Sequence, residues 1–300
     1  MKKNLSLLSF LLFVTFLATD SSTADEPLRI GITGVLVEHN RSLNEEMMIY
    51  IGRKLGRTTV IVHRKSYQEM SDLLERGLVD AAFVCGLPYV IDREKFGEEL
   101  LVAPIFNGKP LYQSYVIVPK DSPARSLEDL RGKLYAFSDP LSNSGKLAPT
   151  YRLATMGETP ETYFRRYIFT YSHSANVEAV AVKLVDGASV DSYIWEYLNV
   201  VRPALTAQTR VVARSPYYGM TPVVVRPDLD PAQKRKLRQA FLNMHQDREG
   251  GEILKKLMID RFEEVPDSHY DSIRRMRRFV EAFNAKKKRT SPVAQRPRKP

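Results

Sequence analysis

The stretch Ser138-Asp139-Pro140-Leu141-Ser142-Asn143-Ser144-Gly145 sets small hydroxyl and amide side chains and a glycine directly ahead of a helix-like run from Lys146 to Met156. The first turn of a helix has unpaired N–H groups and a partial positive charge, which suits an anion. Ser142, Asn143 and Ser144 can add side-chain donors, and Gly145 lets the backbone approach a ligand closely. The chemistry this could perform is the capture of a small oxyanion without arginine or metal. Ordinary N-capping by Ser or Asn is the competing reading. His173 and Asp191 also fall at strand ends or helix starts. Asp191 could accept a hydrogen bond only from a ligand that still carries a proton. It could equally cap the helical run starting at Tyr193, as His173 could be a structural hydrogen-bonding residue.

Alternating strands and helices must position these groups. Leu28–Thr33, Thr59–His63 and Val79–Cys85 read as strands, separated by helical patterns near 43–55 and 70–76. That spacing predicts right-handed β–α–β units and a largely parallel sheet. Ligands collect at the carboxyl ends of such strands. Cys85, Gly86 and Tyr89 lie just past one of these ends. A second α/β series starts at Tyr112: strands at 114–118, 133–137, 167–170, 188–191, 211–214 and 222–225, with helices at 176–185, 231–244 and 250–257. Trp195, Tyr112 and Tyr115 are expected to pack.

Residues 1–24 read as a secretory signal: Lys2 and Lys3, an apolar run from Leu5 to Leu17 too short to span a bilayer, then Ser22-Thr23-Ala24 at the cleavage point. No cysteine follows for a lipid anchor, and no later segment is long and apolar enough to cross a membrane. An exported chain of roughly 275 residues fits two lobes. The sole cysteine, Cys85, cannot form an internal disulfide. The net charge of +10 is localised, since eleven basic residues and one acid, Glu281, lie from Arg274 onward, leaving the body close to neutral. Residues 286–300 combine charge with proline and are expected to be disordered. The signal and the missing zinc spacing or aromatic recognition motif argue against nucleic-acid binding.

Four blocks, VDAAFVCGLPYV (79–90), GKPLYQSYVIVP (108–119), AFSDPLSNSGKLAP (136–149) and SHSANVEAVAVKLVDGASVDSYIWEYL (172–198), resemble the phosphate/phosphite/phosphonate-binding solute receptors of ABC importers. The resemblance runs over roughly residues 27–265. It implies an α/β, two-lobed periplasmic-binding-protein fold of the second type with two hinge crossovers, near Ser114–Val118 and Tyr217–Val225. Lobe one would comprise 25–112 plus 220–265 and lobe two 113–219, followed by a C-terminal helix over 266–285. It further implies that Ser142, Ser144 and Gly145 hold the anionic head group, with Asn143 where the family often has Thr. His173, Asp191 and Tyr89 match a family histidine, acid and aromatic, the last from the opposite lobe. Ser174 stands where an acid or small residue is common.

The implied function is a periplasmic, monomeric, cofactor-free receptor that captures a phosphate, phosphite or phosphonate by hinge closure and delivers it to an ABC permease. The alternative is a sensor presenting its ligand to a membrane histidine kinase. Receptors that sense arsenite resemble this family, and Cys85 would be a soft As(III) ligand. Hydrolysis is disfavoured: Ser, His and Asp occur together, but no GxSxG elbow, HExxH or paired-cysteine spacing is present.

Overall fold

In the computed structural model, which describes residues 26–34 and 41–290, short apolar strands and amphipathic helices build two separate sheets. The chain opens with β1 (Leu28–Ile32), α1 (Arg41–Lys54), β2 (Thr59–His63), α2 (Tyr67–Glu75), β3 (Ala81–Phe83), α3 (Gly86–Phe96) and β4 (Glu99–Ile105). Local chemistry sets the boundaries. Ser66 and Glu69 close a capping box at the start of α2, and Gly97, at φ 84°, ends α3 in the left-handed conformation. Neither the helix α3 nor the strand β4 is expected from the sequence pattern. Their apolar residues come in unbroken runs, whose period does not separate helix from strand.

A short strand β5 (Leu111–Tyr112) leads to the second sheet: β6 (Ser114–Pro119), β7 (Leu134–Phe137), α4 (Ala148–Thr155), α5 (Pro160–Tyr163), β8 (Arg166–Phe169), α6 (His173–Ala181), β9 (Gly187–Asp191), α7 (Ser192–Val201), α8 (Pro203–Thr206) and β10 (Thr209–Arg214). The chain then returns through β11 (Tyr218–Gly219) to β12 (Val223–Val225), α9 (Pro231–Leu242), α10 (Arg248–Lys256), β13 (Arg261–Glu263) and α11 (Asp271–Thr290).

The sheet orders are β13-β4-β12-β3-β1-β2 and β10-β6-β9-β7-β8. Both are mixed rather than largely parallel. β12 runs antiparallel to β3 and β4, and β6 antiparallel to β9 and β10. These are the strands that follow each crossing between sheets, so each arrives from the opposite direction. The crossings are tied together where β11 pairs with β5, Tyr218 opposite Tyr112. The first crossing therefore lies at β5, just ahead of the expected Ser114–Val118, which is a strand of the second sheet.

Helix α11 touches both halves. Ile273, Met276 and Val280 are buried, and a side chain on Gly86 of α3 would run into Ile273. Arg277 pairs with Glu94 of α3 at 2.6 Å, while Phe279 meets Tyr151 of α4 edge-on at 5.2 Å. The helix continues to Thr290, past the expected end at 285; i,i+4 pairing such as Arg277–Glu281 supports it. The expected signal (1–24) and the rest of the tail (291–300) lie outside the described residues.

The end of α3 carries an electrostatic cost. Asp92 and Glu98 are buried, and neither Glu98 oxygen has a hydrogen-bond partner. Burial pushes Asp92 up to about 6, with the Ser71 hydroxyl opposing it, and Glu98 well above the carboxylate range. A raised folded-state pKa means that stability is lost as pH rises through about 6. Asp92→Asn is therefore expected to gain on the order of 1–3 kcal/mol at pH 8 and about half as much at pH 5, which lies between the ordinary aspartate value and that of the folded protein. Urea titrations of both proteins at the two pH values test this; an equal effect at both would contradict it.

Candidate functional site

The oxyanion-like loop leaves β7 at Phe137 and enters α4 through a single π-helical turn, Asn143–Leu147. Ser142 sets up this turn. Its carbonyl accepts from Leu147 N–H at 2.9 Å, and its hydroxyl accepts from Gly145 N–H at 2.9 Å. The helical structure thus starts earlier and wider than the expected run from Lys146. Gly145 has to be glycine, because a Cβ there would collide with Ser138 Oγ. Ser138, Ser142, Asn143 and Ser144 are all buried. Ser138 Oγ, Asn143 Oδ1 and Ser144 Oγ nevertheless have no hydrogen-bond partner. Ser144 Oγ lies near enough to Tyr112 to favour its ionised form, but without a hydrogen bond of normal geometry. Buried polar atoms are nearly always paired, so such a cluster on one loop marks a place built for a polar partner.

The opposite wall meets this loop directly. Asn143 N–H donates to Cys85 Sγ at 3.2 Å, and its side-chain amide donates to Tyr112 Oη at 2.9 Å. Tyr67 N–H, at the start of α2, donates to Asp139 Oδ2 at 3.1 Å. Three bonds therefore join the loop of the second sheet to the first sheet's side and to the crossing. Tyr112, expected to be packing, proves to carry one of them. Its position directly before the second strand series was the signal that could have found it.

Cys85 caps α3, and burial pushes its thiol up to about 11, so the sulfur is a neutral acceptor for Asn143. The chain has one cysteine, and among the described residues no group of three or more His, Cys, Asp or Glu could hold a metal ion. Tyr89 is not brought to the cluster. Its hydroxyl donates to Asp267 at 2.6 Å, and its ring packs on Tyr270 at 4.8 Å. Facing α11 rather than the loop, Tyr89 is a packing residue, in contrast to its expected role.

His173 and Asp191 do join the loop. His173 begins α6 and is buried, and its Nδ1 accepts from Asp191 N–H at 3.0 Å. The proton must then sit on Nε2, which lies 3.5 Å from Ser142 Oγ and can only donate to it. Burial holds the imidazole down to about 3, so it is neutral. This is the reverse of what nucleophilic catalysis needs, where histidine accepts the serine proton and a carboxylate orients its Nδ1–H. Asp191 both ends β9 and caps α7, accepting from Tyr193 N–H at 2.8 Å. Burial pushes its carboxyl up to about 7, against the pull of the Tyr193 and Ile194 N–H groups.

The cluster thus offers hydroxyls, an amide, a neutral imidazole and a helix start, plus one carboxyl poised between charge states. Such fixed dipoles can replace the hydration of a small anion. A groove of about 910 Å³ lies elsewhere, between α4 and α11, lined by Tyr151, Arg214, Met276 and Phe279 and by none of the expected site residues.

Three comparisons place this arrangement among known proteins. The sequence matches the family described as "ABC transporter, phosphonate, periplasmic substrate-binding protein" over residues 37–270. It is 30% identical over 184 residues to the phosphonates-binding periplasmic protein of Escherichia coli, covering 60% of this chain and 54% of that protein. The chain thus spans about half the length of that relative. The structure is similar to a binding protein component of an ABC phosphonate transporter from Pseudomonas aeruginosa, with TM-score 0.81, 27% identity and coverage of 87% and 88%. PhnD1 from Prochlorococcus marinus in complex with methylphosphonate shares the fold at TM-score 0.75 and 19% identity, covering 85% and 98%. The fold is accordingly the two-lobed type 2 periplasmic binding protein fold, and these relatives are binding proteins rather than enzymes.

A carboxyl that titrates near 7 beside an anion should make binding weaken as pH rises through that range. Asp191→Asn keeps the helix cap and removes the charge. The ratio of variant to wild-type Kd for methylphosphonate is expected to shift in the variant's favour by about tenfold between pH 6 and pH 8. A pH-independent ratio would show that Asp191 does not face the anion.

Proposed function

The chain belongs to the periplasmic substrate-binding proteins of ABC phosphonate transporters, and from that premise we propose that it captures a small phosphorus oxyanion between its lobes and delivers it to an ABC permease. The expected leader over residues 1–24 would export it to the periplasm. One observation carries the reading: a single loop holds three buried polar atoms without partners and also bonds across to Cys85 and Tyr112. Ser142 and Ser144 would donate to the anion's oxygens, with the N-terminal dipole of the turn behind them. Neutral His173 supports Ser142 from Nε2, and Tyr112 and Asn143 hold the opposite side. Asp191 would accept from a ligand that retains a proton or carries an amino group.

Closure follows from the same contacts. A ligand that binds the closed form better than the open one shifts the population toward it, by no more than that difference in affinity. Only the closed form would then present the matching face to the permease.

A thermal-shift panel on residues 25–300 with phosphate, phosphite, methylphosphonate, 2-aminoethylphosphonate, sulfate, arsenate and arsenite tests the proposal. Selective stabilisation by a phosphorus oxyanion is expected, because a ligand bound only by the folded state raises Tm. Ser144→Ala should weaken that ligand by about 1.5–3 kcal/mol, the value of a charged hydrogen bond. Stabilisation by sulfate alone, or an unchanged affinity in the variant, would contradict the reading.

A further inference from the structure

The turn carries one basic residue, Lys146, whose ammonium lies over aromatic rings. The ammonium lies 4.0 Å from the ring centre of Phe137, 4.8 Å from that of Tyr167 and 5.6 Å from that of Phe169. These rings come from the ends of the adjacent parallel strands β7 and β8, where Phe137 is directly opposite Phe169. Lys146, within the turn Asn143–Leu147, thus occupies an aromatic cage of three rings. Its backbone is part of that turn, since Lys146 N–H donates to Ser142 O at 3.2 Å. Among the described residues no carboxylate forms an ion pair with it. The nearest acidic influence is Glu161 of α5, whose carboxylate is occupied in accepting from Tyr167 Oη at 2.8 Å.

A half-buried ammonium held by ring faces, with no carboxylate bonded to it, keeps much of its charge unneutralised. An ion pair would neutralise it locally, whereas ring quadrupoles hold it in place and leave its field to reach the loop. The loop needs such a field, because the acids beside it, Asp139 and Asp191, are both buried and would oppose an anion when ionised. We infer that Lys146 is a positioning residue that supplies the positive field for oxyanion binding from behind the loop, without touching the ligand. The inference rests on the functional reading above.

The arrangement has a pH signature. Burial lowers the ammonium to about 8, with Glu161 opposing. The phenol of Tyr167 in the same cage is raised to about 12, so it remains neutral wherever Lys146 titrates. The field should therefore fade as pH rises beyond 8, a range in which Asp191 is already ionised.

The test is calorimetric titration of methylphosphonate into wild type, Lys146→Met and Lys146→Arg between pH 7 and pH 10. The expected ratio of Lys146→Met to wild-type Kd is about tenfold at pH 7, falling toward one at pH 10, the scale set by one charge acting over roughly 10 Å of protein. Lys146→Arg, which stays charged, should bind at pH 10 better than wild type does. Circular dichroism and Tm at pH 7 separate these effects from loss of fold. A ratio within twofold at pH 7, or one constant from pH 7 to 10, overturns the inference while leaving the functional reading intact. Wild type that takes up no methylphosphonate at any of these pH values, with no stabilisation by the other phosphorus oxyanions, overturns the functional reading itself.

Discussion

The two bonds made by Asn143, backbone N–H to Cys85 and side-chain amide to Tyr112, are the constraint on which the rest of this structure depends. They join a loop of the second sheet to the cap of α3 and to the crossing strand β5. The same few atoms that face the candidate anion position therefore also report how the lobes are set relative to each other. On the proposed function, a ligand on this loop and closure of the cleft would become one equilibrium. Neutral sulfur and phenol as the partners matter here. Burial keeps both Cys85 and Tyr112 protonated, so the far wall adds no negative charge against an anion.

Around that contact the electrostatics are organised by removal of charge rather than by pairing. His173 is neutral because it is buried and because its Nδ1 is taken by Asp191 N–H. Asp191 is held near the point where it changes charge, and the loop's ammonium is packed in rings instead of against a carboxylate. A site of this kind gains selectivity from the number and direction of its donors. Fixed donors cost no reorganisation when the ligand loses its water, and an ion lacking the right protonation leaves an acceptor such as Asp191 unmatched.

Much of the scaffold was legible in the sequence because strand–helix alternation is a local signal. Leu28–Ile32, Thr59–His63 and Ala188–Asp191 were bounded by glycines or capping residues, and the Ser142–Gly145 loop declared itself by composition. Topology was less accessible. That β6 and β12 run antiparallel follows from where the chain crosses between sheets, which no residue pattern encodes. Orientation was the least accessible: Tyr89 and Tyr112 are both buried tyrosines near the proposed cleft, and only the packing of Tyr270 and Asp267 in front of α11 decides which hydroxyl turns inward. Lys146 went unread for a similar reason, since its cage is assembled from strands about ten and twenty residues away in either direction.

The central claim is spatial, and the most direct measurement is a crystal structure of the protein grown with methylphosphonate. The account predicts the phosphonate oxygens within hydrogen-bonding distance of Ser142 and Ser144 Oγ, with the Asn143–Tyr112 contact intact and the Lys146 ammonium still caged and out of contact with the ligand. Methylphosphonate bound away from this loop, for example in the groove between α4 and α11, or bound here with the lobes apart, would contradict it.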